Sequence, residues 1–149
     1  MAFASRSIKD QLITIIQGIT YEGEPAFTEV RGHPRGEFDS YPSVSILPGE
    51  QLSTKWEQGA NNRNPMYIVR TQLKATNEGT EFDYMYDLTD LIIDTLDTAD
   101  YNGEISLDAL GVHALILNTT RADWFEADSQ AGPLLMCDIN VGVEYSKDN

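Results

Sequence analysis

The sequence predicts an α+β domain, one mainly antiparallel sheet with two amphipathic helices packed on one face, and three stretches carry that expectation. In Thr80 to Leu96, the residues Met85, Leu88, Ile92 and Leu96 recur at helical spacing. On the opposite side, Asp83, Asp87, Asp90 and Asp94 fall within roughly 40° of a common direction at about 100° per residue. Near the start, Ile8, Leu12, Ile15, Ile16 and Ile19 form a second apolar stripe of the same period. Toward the end, Leu135, Cys137, Ile139, Val141, Val143 and Tyr145 alternate with Met136, Asp138, Asn140, Gly142, Glu144 and Ser146. That alternation describes a strand with one core face and one polar face, as an antiparallel sheet requires and a doubly covered parallel sheet does not.

The first helix opens at Ser7, with Asp10 three residues later as a capping pair, and runs to about Gln17, where Gly18 ends it. Ala26 to Arg31 is strand-like, His33 to Gly36 and Asp39 to Pro42 form an irregular loop, and Ser43 to Leu47 is a short buried strand. After the Pro48-Gly49 turn, Gln51 to Glu57 and Met66 to Ala75 pair as antiparallel strands joined by Gln58 to Pro65. That polar connection is long for a hairpin and is expected as a surface tip. Thr80 and Asp83 cap the second helix, the loop Asp97 to Glu104 follows it, and Val112 to Asn118 and Ala122 to Ala127 are strands before the long final one. No repeat, low-complexity tract or linker interrupts the chain, so residues 1–149 are expected to form a single domain.

A chain of 149 residues has core enough for this without disulfide or metal support. The lone Cys137, set in an apolar strand, has no intrachain partner for a disulfide and is expected as a buried thiol. Lys9, Asp10 and Gln11 interrupt the apolar character of the N-terminus, which argues against a signal peptide, and no apolar run is long enough to span a membrane. Synthesis in the cytoplasm is the expectation. With 24 acidic against 10 dispersed basic residues the net charge is −14, which opposes adhesion to nucleic-acid backbones and anionic membranes because phosphate binding depends on Lys and Arg. Such charge either keeps a protein soluble or lines a surface that polyanions pass without sticking.

Catalytic chemistry has little to stand on. The two histidines, His33 in a loop and His113 in a strand, have no Ser or Cys nucleophile motif beside them. Phosphate-binding glycine loops, His-Glu-x-x-His and paired Cys-x-x-Cys are absent from the sequence. The stretch Asp97 to Ile105 has EF-hand-like spacing, but with Gly103 at position six the first position is Thr98 and the twelfth is Ala109, so the key carboxylates are missing. An Asn-Gly turn between helix and strand is the better account of it. The four aspartates point outward in parallel from a straight helix and cannot converge on one ion. No catalytic residue, cofactor or metal site is therefore expected. Phe82, Tyr86 and Ile93 flank the acidic ridge and either widen the core contact or form the rim of a subunit interface. Trp56, Trp124 and Phe125 pose the same question. As consecutive strand residues, Trp124 and Phe125 point to opposite faces, and the one left outside the core is covered by a loop, a second layer or a neighbouring chain.

The order of elements, with the local cues Tyr41-Pro42-Ser43-Val44 and the strand Asp138 to Tyr145, resembles the tail-terminator proteins of long-tailed bacteriophages over nearly the whole chain. The resemblance implies a virion protein of the tail and neck that forms a homohexameric ring on the last ring of tail-tube protein, stops polymerisation and presents its other face to the head connector. DNA would pass through the ring without specific binding, and an acidic lumen would repel its backbone. The family implies no catalytic residue and no cofactor. Asp83, Asp87, Asp90 and Asp94 then stand on a solvent-facing or channel-facing surface. Another ring-forming neck, connector or minor tail protein is the alternative. Two further readings come from other classes: a small acidic enzyme using His113 or an aspartate pair, which requires a concave pocket, and a nucleic-acid-mimicking inhibitor, which requires a basic partner.

Overall fold

The computed structural model describes residues 4–33, 38–49, 61–63, 65–75, 79–101, 112–130 and 132–147, with the backbone alone described at 4, 61–63, 100–101, 112–123 and 145–147. Its elements are α1 (Ala4–Gln17), β1 (Thr20–Tyr21), β2 (Glu24–Pro25), β3 (Glu29–Arg31), β4 (Ser43–Pro48), β5 (Asn61–Arg63), β6 (Met66–Lys74), α2 (Thr80–Tyr101), β7 (Val112–Ser129) and β8 (Gly132–Lys147). In the main sheet β3, β4, β6, β8 and β7 lie side by side, and β5 pairs with the end of β8 beyond β6. All pairings are antiparallel except β3 with β4, which is parallel, and β1–β2 form a separate small hairpin. The fold is α+β, as the patterning requires.

The core lies between the helices and one face of the sheet. Ile8, Leu12 and Ile16 of α1 and Met85, Leu88, Ile92 and Leu96 of α2 are all fully buried, and they pack with Val44 and Ile46, Tyr67 and Val69, and the odd residues Leu135 to Val143 of β8. Each such side chain contributes about 1.5–3 kcal/mol by leaving water. The period-2 and period-3.6 stripes thus meet as expected, with α1 lying toward β3 and α2 toward β7. The opposite sheet face is not simply polar. There Asp138 is buried, and its two carboxylate oxygens accept from Arg70 Nε at 2.8 Å and a terminal guanidinium nitrogen at 3.0 Å.

Several element boundaries differ from the sequence expectation. α1 begins at Ala4, so Ser7 is an internal residue whose Oγ accepts from Gln11 Nε2 instead of capping the helix. The residue preceding α2 is Gly79 at φ +82°, a left-handed conformation that glycine adopts without penalty, and its carbonyl accepts from the Phe82 amide. Glu81 and Asp83 occupy the first turn of α2, where their charge complements the helix dipole. That helix runs on to Tyr101 and does not end at Leu96, because Ala99, 1% exposed, continues the buried stripe three residues further, and the rest of the loop expected over Asp97 to Glu104 lies outside the described residues. The strand expected over Ala26 to Arg31 shrinks to β3, since Ala26 and Phe27 are buried in an irregular turn after the β1–β2 hairpin.

Asn61 to Arg63, expected within a surface tip, is strand β5. Both edges of β6 are occupied, by β4 and by β8, and the strand expected at Gln51 to Glu57 lies outside the described residues. The two strands expected over Val112 to Asn118 and Ala122 to Ala127 are one continuous β7, broken in register between Arg121 and Asp123.

Gly49 follows β4 where the chain passes over the start of β6. Its amide donates to the Met66 carbonyl at 2.8 Å, and a Cβ there would stand 2.9 Å from the Met66 Cβ and 3.0 Å from its backbone carbon. Backbone cannot move aside as a flexible side chain can, so Gly49→Ala is expected to cost about 1–3 kcal/mol in chemical denaturation, the usual penalty of overpacking. A midpoint unchanged from wild type would show that this approach is looser than the geometry indicates.

Candidate assembly surface

Phe82 and Tyr86 are separated by one helical turn on the flank of α2 that faces β7. They are 41% and 52% exposed and are the large hydrophobic residues left open to solvent among the described side chains. Trp124 of β7, half-buried against the core cluster, holds both. Its ring lies parallel to Phe82 with centroids 6.1 Å apart and tilted against Tyr86 at 4.6 Å. These separations suit stabilising aromatic pairs, and they present a contiguous aromatic patch instead of isolated exposed rings.

A β-bulge decides which aromatic joins this patch. β7 pairs Arg121 with Ile139 and Asp123 with Asp138, leaving Ala122 as an extra residue. Without that insertion the alternation would put Trp124 on the far face; with it, Trp124 pairs with Cys137 on the helix side and Phe125 with Met136 on the other. Phe125 accordingly lies under the Arg70 guanidinium, 5.0 Å from its carbon, within cation–π range.

Of the five residues expected at an interface, the fold therefore brings together Phe82, Tyr86 and Trp124, and separates two. Ile93 is half-buried against the core cluster and widens the core contact. Phe125 belongs to the opposite face. Trp56 and the side chain of His113 lie outside the described residues. The outer edge of β7 pairs with no strand among the described residues.

The same two elements carry exposed carboxylates. Asp83, Asp87, Asp90 and Asp94 are all exposed on α2, and Glu126 and Asp128 are exposed on β7. Asp87 also has a structural task, since its Oδ2 accepts from the Tyr21 hydroxyl at 2.9 Å and Tyr21 packs on Tyr84 with centroids 5.4 Å apart. The pair pins the β1–β2 hairpin to α2. This hydrogen bond, then burial and the nearby negative charges, raises the Tyr21 pKa above its ordinary 10.0. Stability drawn from the bond is present below pH 10.0 and is lost as pH rises through the higher folded-state value. In Asp87→Ala, Tyr21 is expected to titrate closer to its ordinary pH when its ring carbon is followed by NMR. An unmoved titration would assign the shift to burial.

Asp83 and Asp87 line an open cleft of about 570 Å³ with Glu22, Glu24, Pro25, Thr80 and the two tyrosines. The concavity that an enzyme requires is present there, but its lining holds carboxylates and phenols without a histidine, thiol or cation to divide acid and base roles. A second cleft, about 540 Å³, lies between Asp39 to Pro42, the end of β6 and the start of α2, and includes Lys74 and the buried Glu81. His33 is exposed and lines neither cleft. Among the described residues no three His, Cys, Asp or Glu side chains converge as metal ligands, and no helix is long and apolar enough to cross a membrane. Compared with protein-family models and with curated protein sequences, the chain matches none.

Proposed function

We propose that this protein is a structural component of a long-tailed phage virion, a tail terminator that closes a ring on the end of the tail tube, stops its polymerisation and joins it to the head connector. The observation that carries the reading is the Phe82–Tyr86–Trp124 patch on α2 and β7, a surface suited to a neighbouring protein and not to a small substrate. The order of elements supports it as a resemblance. The charge of −14 supports a conduit that DNA traverses without adhering, because like charge across a lumen repels the phosphate backbone.

In this reading the ring is a homohexamer, its partners are tail-tube protein on one side and a neck protein on the other, and the protein resides in the virion. The test is to add the labelled protein to purified tail tubes, image the tube ends and weigh the assembly by native mass spectrometry. Six copies at one end of the tube, with tube growth halted, is the expected result. A persistent monomer with no affinity for tube ends would refute the terminator, and a ring found elsewhere in the neck would favour the connector alternative.

A further inference from the structure

We infer that a groove across the start of α2 receives an arginine-bearing segment of a different, basic protein. Two open clefts of about 570 and 540 Å³ adjoin there and share Thr80 and Tyr84 as a common wall. Tyr84 stands about 200° around the helix from both Phe82 and Tyr86, at about 100° per residue, and no residue of the aromatic patch lines either cleft. The groove is thus a second surface, and its occupant is independent of the ring reading.

Its charge specifies a cation. Among the described residues that line the two clefts, six carboxylates stand against the single ammonium of Lys74: Glu22, Glu24, Asp83 and Asp87 in the first, Asp39 and the buried Glu81 in the second. The negative field reaches the phenols. Burial, then the Glu22 charge, raises the Tyr84 pKa above its ordinary 10.0, and Glu22 adds to the shift that the Asp87 hydrogen bond leads at Tyr21. A surface of this sign attracts a basic partner, whereas a second copy, itself at −14, is repelled from it.

The rings specify a guanidinium. Tyr21 and Tyr84, with centroids 5.4 Å apart, share the lining of the first cleft with its four carboxylates. Elsewhere the chain joins these same components around an arginine twice. Arg31 pairs with Glu29 at 2.7 Å and lies 4.1 Å from the Phe38 centroid, and Arg70 pairs with Asp138 at 2.8 Å and lies 5.0 Å from that of Phe125. The groove offers carboxylates and rings with no guanidinium among its described lining residues. A planar cation stacks on an aromatic face while its N–H fork donates to carboxylate oxygens, a geometry that a lysine ammonium lacks. In the second cleft Pro42 and Leu73 add apolar surface, against which the aliphatic stem of an arginine packs.

The experiment titrates the full chain with a fluorescent Gly-Arg-Gly-Arg-Gly peptide and follows anisotropy at about 0.1 M salt, where exposed charges interact over about 10 Å. Glu22→Gln with Asp83→Asn is expected to weaken binding at least about tenfold. Asp94→Asn with Asp97→Asn removes the same charge from the same helix, but Asp94 lies eleven residues along α2 from Asp83, about 16 Å at 1.5 Å per residue. That pair should leave binding within about twofold of wild type. Tyr84→Leu should weaken it about threefold and Tyr84→Phe, which keeps the ring, should not; the matching lysine peptide should bind about threefold more weakly. In NMR spectra of the wild type, the ring signals of Tyr21 and Tyr84 should move on binding while those of Phe82 stay. Circular dichroism melts check that each variant is folded. Equal losses from the two charge pairs would reduce the effect to net charge and overturn the inference. So would equal binding of the lysine peptide or of spermidine, shifts confined to Phe82 and Tyr86, or a wild-type chain that does not bind the peptide. Tyr21 and Tyr84 signals that move with the concentration of the chain alone would assign the groove to a second copy and overturn it too. None of these results bears on whether the chain closes a ring on tube ends, which the tube assay decides separately.

Discussion

Replacing Leu88 with alanine is expected to lower unfolding stability by about 3–5 kcal/mol, toward the upper part of the range for a fully buried leucine. Leu88 is completely inaccessible and belongs to the stripe with Met85, Ile92 and Leu96 that presses α2 onto the sheet. Truncation removes the transfer free energy of the lost methyl groups and leaves a cavity between two rigid layers that cannot close over it. On the other side of the same helix, Asp94 is exposed and Asp94→Ala should stay within about 0.5 kcal/mol of wild type. Urea titration of the two variants therefore tests the helix face assignment directly. Equal costs at Leu88 and Asp94 would mean that α2 is not oriented as described.

The second large effect is expected at Arg70. Its bidentate pair with Asp138 lies on the sheet face away from the helices, with the Asp138 side chain 9% and the Arg70 side chain 29% exposed. The two ends of the pair are unequal in what their loss leaves behind. Arg70→Leu strands a buried carboxylate and also removes the guanidinium that lies over the Phe125 ring. Breaking a buried pair in this way typically costs about 3–5 kcal/mol, and the partial exposure of Arg70 reduces the expectation to about 2–4 kcal/mol. Asp138→Asn should cost less, because Arg70 can turn its charge to solvent. Replacing both with leucine should recover much of the loss, since an apolar pair carries no desolvation penalty. A double-mutant cycle by denaturant unfolding checks this ordering. An Asp138→Asn variant less stable than Arg70→Leu would show that the guanidinium, not the carboxylate, is the stranded charge.

Most of the architecture was legible in the chain. The stripes ending at Leu96 and Ile16 and the alternation of Leu135 to Val143 specify which faces are apolar, and burying those faces together leaves few arrangements other than two helices on one side of an antiparallel sheet. The exposure of Asp83, Asp87, Asp90 and Asp94 follows from the same periodicity, because a helix that buries one side turns the other to water. The pairing of β4 with β6 was not legible, since several short strands satisfy the same alternation and their sequences alone do not select among partners.

The candidate surface was half-legible in the same physical sense. Phe82 and Tyr86 share a helix flank by spacing alone, and Trp124 and Phe125 must diverge if they occupy one strand. Which of the two joins the helix flank depends on the single extra residue at Ala122, a bulge whose position comes from matching β7 to β8 and leaves no mark in composition. By itself the sequence determined the apolar faces, the acidic ridge and the helix–sheet layering, because these depend on local periodicity. Tertiary structure alone decided that Trp124 completes an exposed aromatic patch, that Ile93 sinks into the core contact and that Asp138 is buried under Arg70, because each depends on register between strands distant in the chain.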